Sequence, residues 1–223
     1  MSRRMTLNRP LEAVYSGIRA YYTDKVQKHG ATPRGVDWTC VPTQELRFVQ
    51  LLKLCDFKVP FSLNDVGCGY GALLAHLARR HPHAEVDYLG IDLSPAMVRH
   101  AKLLWHNPGS TRFVTARTSP RVADYSVGSG IFNVRLEQPI DVWERFIAST
   151  LADMQRTSRL GFSVNLMGLP AAGQASKEGL YRSAPTPWVE YCERKLQCSV
   201  EVLSGYGLRE FTLLARRHTS PRQ

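Results

Sequence analysis

The apolar positions along this chain predict helices and strands in alternation. Leu11, Val14, Tyr15, Ile18, Tyr21, Tyr22 and Val26 recur at helical spacing, and Gly30 can end that helix in a left-handed turn. Residues 31–42 are polar and turn-rich, with no period. Thr43–Leu52 predicts a second helix, capped by Thr43 and facing a sheet through Leu46, Val49 and Leu52. Ser62–Val66 is a short buried strand, and Leu73/Leu77 with Leu74/Ala78 place a helix directly behind it. Tyr88–Asp92 is the next strand. Its helix is opened by Ser94 and Pro95 and carries Met97, Val98, Ala101, Leu104 and Trp105 on one face. Arg112–Ala116 predicts a third strand, and the run from Asp124 a fourth that enters a small-residue loop ending at Asn133. Ile140, Trp143, Phe146, Ile147, Leu151 and Met154 mark a long helix before a fifth strand, Gly161–Leu166. Trp188, Tyr191, Cys192 and Leu196 suggest a last helix. Ser199–Leu203 and Arg209–Leu214 alternate around Ser204-Gly205-Tyr206-Gly207, a hairpin signal.

Helices interleaved with strands make an α/β chain with a mostly parallel sheet, which the hairpin closes in antiparallel fashion. A length of 223 residues suits one such domain. The expected division is an N-terminal helix and loop (1–42), a core (43–217) and a flexible basic tail (218–223). There is no run of about 18 apolar residues, so no membrane span is expected, and the basic start lacks the apolar segment of a secretory signal. Five scattered cysteines without a Cys-x-x-Cys pair point to free thiols in a reducing cytoplasm. No cluster of His, Asp or Glu suggests a metal. Lys and Arg number 29 against 19 Asp and Glu, a formal charge of +10. That excess favours anionic partners: phosphorylated metabolites, nucleotide-linked sugars or nucleic acid.

The chemistry concentrates where the first core strand ends. Gly67, Gly69 and Gly71 let the backbone turn sharply and approach a ligand closely. Gly67-x-Gly69-x-x-Ala72 satisfies a loose dinucleotide fingerprint. Asp65-x-Gly67-x-Gly69-x-Gly71 also matches the pattern around S-adenosylmethionine, and that match uses all three glycines and the acid before them. Asp92, at the tip of the second strand, can accept hydrogen bonds from both hydroxyls of a ribose. With Gly90-Ile91-Asp92-Leu93-Ser94-Pro95-Ala96-Met97 following, the chain resembles the class I S-adenosylmethionine-dependent methyltransferases over about residues 43–217.

The resemblance implies a Rossmann-like, seven-stranded sheet with helices on both faces and an N-terminal helical lid. It implies S-adenosylmethionine as cofactor, held by Asp65, Gly67, Cys68, Gly69, Gly71, Asp92, Leu93 and Met97. Arg47 is a candidate for the carboxylate of the methionine arm, which a guanidinium can grip with two hydrogen bonds. Relatives often carry an acid on the adenine after the third strand; here Ala116-Arg117 stands there, leaving Thr118 or backbone groups. Ser129 and Gly130 fall where methionine arm and methyl acceptor meet, and Asn133 can orient a hydroxyl or amide. A lid would bring His29, Asp37 and Trp38 to the reacting centre, with Tyr21 and Tyr22 packing beneath; His29 is the first candidate base and Asp37 the second. Ser129-Gly130-Ile131-Phe132-Asn133, Met154 to Ser158 and Gly161 to Asn165 resemble a branch associated with surface glycans and small metabolites. The expected activity is methyl transfer to oxygen or nitrogen of a small anionic metabolite or sugar. An RNA or protein methyltransferase is the rival, though the Asn/Asp-Pro-Pro-aromatic tetrapeptide is missing; a non-catalytic nucleotide-cofactor-binding protein is the other.

Overall fold

In the computed structural model, which describes residues 3–106, 109–171 and 178–218, the strands are β1 (Phe61–Val66), β2 (Val86–Asp92), β3 (Thr111–Thr115), β4 (Ala123–Gly128), β5 (Ser158–Met167), β6 (Cys198–Leu203) and β7 (Glu210–Arg217). They form one sheet in the order β3-β2-β1-β4-β5-β7-β6. The first five run parallel, and β7 lies antiparallel between β5 and β6. The Rossmann-like sheet with its C-terminal hairpin is therefore as the sequence implies. The hairpin's second strand pairs on both its edges, so Phe211, Leu213, Leu214 and Ala215 are all buried.

Helices α1 (Arg3–His29), α2 (Val41–Leu52), α3 (Ala72–Arg80), α4 (Pro95–Leu104), α5 (Ile140–Arg156) and α6 (Thr186–Arg194) surround the sheet, with a 3-10 turn at Pro33–Val36. The central strands are apolar on both faces because both are covered. One face packs Phe162, Val164 and Leu166 of β5 against Trp143, Phe146, Ile147, Leu151 and Met154 of α5. The other packs Leu63 and Val127 against Phe48, Leu73 and Val98 of α2, α3 and α4. The alternation along β5 turns Ser163 the other way, where its hydroxyl donates to the Leu51 carbonyl of α2 at 2.9 Å. The Met154-to-Ser158 stretch has a local reason: the Ser158 hydroxyl bonds the Met154 carbonyl at 2.6 Å as α5 ends.

Three local expectations are corrected. Helix α2 starts at Val41 with Cys40 at the N-cap, because Pro42 fits a first turn where its missing N–H has no partner to lose. Thr43 does not cap it; its hydroxyl donates to the Cys40 carbonyl. The buried face of α2 runs through Gln44, Arg47, Phe48, Leu51 and Leu52, leaving Val49 exposed, and Ile140 at the start of α5 is exposed too. Residues 172–177 and residues 219–223 of the expected basic tail lie outside the described residues. Among the described residues no helix is long and apolar enough to cross a membrane. All five cysteines are unpaired with one another.

Helix α1 reaches the sheet by way of α4 and α5. Tyr15 meets Phe146 edge-on at 5.6 Å. The Thr23 hydroxyl lies 2.8 Å from that of Ser94, which caps α4 by accepting from the Met97 N–H at 3.3 Å. Ser94→Ala removes both bonds at a fully buried position. It is expected to lower stability by about 1–2 kcal/mol, read as a shift in urea midpoint at unchanged slope.

Candidate active site

The chain leaves β1 for β2 and β3 on one side, then returns to place β4 on the other. At that switch point a cavity of about 690 Å3 opens at the carboxyl ends of the strands. Its inner wall is the turn after β1. Gly67, Gly69 and Gly71 have φ of 71°, 54° and 86°, a region that residues with a Cβ rarely enter. Space forbids side chains here as well. A Cβ on Gly67 would stand 2.3 Å from Ile131 Cγ2, and one on Gly69 2.8 Å from Val36 Cγ1.

The turn is held by Asp92. One carboxylate oxygen accepts the Gly69 N–H at 2.9 Å, the other the Ser94 N–H at 2.8 Å. Asp92 is half-buried on the cavity wall. Withdrawal from water raises its pKa to about 6, against the lowering pull of those N–H groups. Asp65 is buried deeper and accepts from the Tyr88 hydroxyl. Burial raises it to about 7 in spite of that bond, and the Asp92 charge adds to the rise. Burial likewise pushes the Cys68 thiol up, and its Sγ lies 3.6 Å from the Gly69 carbonyl.

Leu93, Met97 and Thr118 line the same cavity. Arg117 also lines it, pairs with Glu12 of α1 and lies 5.0 Å over the Tyr15 ring. On the far side Ser129, Gly130 and Asn133 form a wall. Ser129 Oγ and Asn133 Oδ1 are buried without a hydrogen-bond partner, as is Ser119 Oγ, also in the lining. Tyr15, Ile18, Tyr22, Val36 and Trp38 close the cavity from outside, and Leu180 and Met167 join them. Residues of α1 and of the 3-10 turn thus form part of the cavity wall.

Two site expectations change. Arg47 is absent from the cavity lining: its guanidinium is buried and held by both oxygens of Glu210, with a third bond to the Thr43 carbonyl at 2.6 Å. Its charge is paired with Glu210 and three of its N–H donors are engaged inside the protein rather than presented to the cavity. Asp37 lines the cavity, but Lys25 at 2.6 Å and the Tyr21 hydroxyl occupy its two oxygens. It sits in a left-handed conformation, φ 65°, as the anchor of the 3-10 turn rather than as a free base. Tyr21 both packs edge-on against Tyr22 at 5.1 Å and donates to Asp37; burial and then Asp37 raise its pKa. His29 lies exposed at the cavity rim.

Sequence reasoning missed Tyr88, Val36, Ile131, Ser119 and Glu210. Tyr88 and Glu210 left a trace: polar groups inside runs that predict buried strand need partners. The others depend on long-range contacts with no local mark. Among the described residues no group of three or more His, Cys, Asp or Glu could hold a metal.

A parallel sheet with a glycine turn after β1, an acid ending β2 and a cavity at the switch point is built to hold a nucleoside. Residues 64–149 match a family model described as "Methyltransferase domain". A Mycobacterium tuberculosis protein named "Putative methyltransferase Rv1506c" is 44% identical over 166 residues, 74% of this chain and 99% of its own length. The chain belongs to the class I S-adenosylmethionine-dependent methyltransferases. Solved structures share the fold at low identity. Magnesium protoporphyrin IX methyltransferase from Synechocystis, bound to SAH, gives a TM-score of 0.63 at 14% identity, covering 91% of this chain and 99% of that one. Human N-acetylserotonin methyltransferase, in complex with SAM, gives 0.56 at 16%, covering 92% and 67%. Their acceptors differ, so the shared fold leaves the acceptor open.

Gly67→Ala adds a Cβ at positive φ and against Ile131. It is expected to cost about 1–3 kcal/mol, and adding Ile131→Ala should relieve the clash but not the backbone strain, so urea unfolding of the pair recovers part of the loss. Asp65 gives a pH signature. Its folded pKa of about 7 lies above the ordinary 3.8, so its contribution is fully present below about pH 4 and is lost as pH rises through about 7. Asp65→Asn, still an acceptor for Tyr88, should flatten that decline when unfolding is followed from pH 5 to 8.

Proposed function

We propose that this protein transfers a methyl group from S-adenosylmethionine to an oxygen or nitrogen of a small, anionic metabolite or sugar. The observation that carries the reading is the roof. Helix α1 and the 3-10 turn lie across the mouth of the cavity, a shape suited to a small acceptor and awkward for a folded RNA or protein. Arg34, exposed at that rim, lends it positive charge.

The residues fit the donor. Asp92 presents a carboxylate at the tip of β2 for the ribose hydroxyls, and the turn through Gly67, Cys68, Gly69 and Gly71 offers backbone where a side chain would intrude. Leu93 and Met97 suit the adenine faces, and Thr118 and the unpartnered Ser119 hydroxyl its edge. Asp65, near half-protonation at neutral pH, suits the amino-acid end. Ser129 and Gly130 lie toward the acceptor. When bound, the donor supplies an activated methyl on a positively charged sulfur, so the protein's task is alignment and exclusion of water. Asn133 orients the acceptor, and His29 takes a proton from it as the methyl arrives.

Asp92→Asn removes the charge and one of the two acceptor oxygens, so the bond from either the Gly69 or the Ser94 N–H is lost with it. It is expected to weaken S-adenosylhomocysteine binding about 10–100-fold by calorimetry, the scale of hydrogen bonds to a charged group; unchanged affinity would remove Asp92 from the site. A transfer screen over phosphorylated sugars, nucleotide sugars and tRNA with labelled donor tests the acceptor class, and label in tRNA alone would overturn the small-molecule reading.

A further inference from the structure

Three buried polar side chains outside the cavity lining connect the two walls of the site. Arg47 of α2, Glu210 of β7 and Asn165 of β5 are 6%, 7% and 0% exposed. Arg47 Nε donates to Glu210 Oε2 at 2.8 Å, and its second terminal nitrogen donates to Oε1. The same Oε2 accepts the Asn165 amide N–H at 2.7 Å. Asn165 Oδ1 in turn accepts the Gly130 backbone N–H at 2.8 Å. This bonding leaves one orientation for the Asn165 amide: nitrogen to the carboxylate, oxygen to Gly130.

Trp38 closes the circuit. Its ring lies 3.9 Å from the Arg47 guanidinium carbon. A Cβ on Gly130 would stand 2.3 Å from Trp38 Cζ2, so the indole rests directly on the Gly130 backbone. The loop after the 3-10 turn therefore touches the Ser129–Asn133 wall twice: directly through Gly130, and indirectly through Arg47, Glu210 and Asn165. Neither route crosses the donor side of the cavity.

We propose that Arg47, Glu210 and Asn165 are positioning residues that, with Trp38, lock the N-terminal cover onto the Ser129–Asn133 wall so that the two move as one unit. The chemistry supports a lock over simple core filling. Replacing a buried ion pair with apolar side chains is often neutral or stabilising, whereas this one is stacked beneath an aromatic ring and extends by hydrogen bond to a loop amide at the site. Gly130 has φ 70° and no side chain, so its orientation depends on that bond and on the indole above it. The coupling is a property of the chain without ligand, so it stands or falls separately from methyl transfer.

The test runs in both directions. Trp38→Ala is expected to speed hydrogen exchange of the Asn165 side-chain amide, which bonds Glu210 and not Trp38, by roughly tenfold in NMR spectra. Trp38→Phe keeps a ring over the guanidinium and should restore most of the protection. In the reverse direction, Asn165→Asp puts a second carboxylate against Glu210. It should raise trypsin cleavage after Arg34 in the 3-10 turn roughly tenfold, with the urea midpoint monitored in parallel. Asn165 exchange that ignores Trp38→Ala overturns the proposal, whatever Asn165→Asp does to folding. Arg34 cleavage that rises only in proportion to global unfolding overturns it as well.

Discussion

The site depends on a carboxylate that holds two loops at once. Asp92 takes the Gly69 N–H on one oxygen and the Ser94 N–H on the other, joining the turn after β1 to the start of α4. Ser94 passes the tie to Thr23 of α1. Three segments distant in sequence thus meet around the end of one strand, and the cavity has its shape because they do. The bonds are strong because the acceptor is charged and shielded from water. The same shielding makes the charge costly, and the rise of Asp92 to about 6 measures that cost.

Two carboxyl groups at neighbouring strand ends, both pushed upward by burial, are an expensive feature for a fold to carry. Asp65 lies opposite Gly90 on β2, and Phe113, packed against Tyr88, fills the space that a side chain would take there. Tyr88 gives Asp65 one hydrogen bond and no counter-charge. A site that receives a positively charged, hydroxyl-rich ligand has a use for acids kept this way. An ordinary core does not.

Much of the site was legible because it is local. Gly67, Gly69 and Gly71 announce a turn, Asp92 and Ser94 announce a strand end and a cap, and each signal fits within a few residues. Arg47 was misread for the opposite reason. Nothing near it in the chain reveals that Glu210, 163 positions later, neutralises it. Asp37 was misread likewise: its partners Lys25 and Tyr21 lie on the preceding helix, and their approach depends on the left-handed residue that ends the 3-10 turn. The cap lies three residues before Thr43, at Cys40, because Pro42 starts a helix as readily as threonine caps one.

Sequence alone determined the alternation of elements, the parallel sheet with its terminal hairpin, and the strand ends that carry the glycine turn and the acid, since hydrophobic period and turn chemistry act over a handful of residues. Tertiary structure decided which polar groups stay open to a ligand and which the protein closes upon itself. Asp92 keeps a face to the cavity while Arg47 is sealed under Trp38, and no local pattern separates the two. Whether a charge is available depends on what the folded chain brings beside it, and those neighbours come from strands and helices far along the sequence.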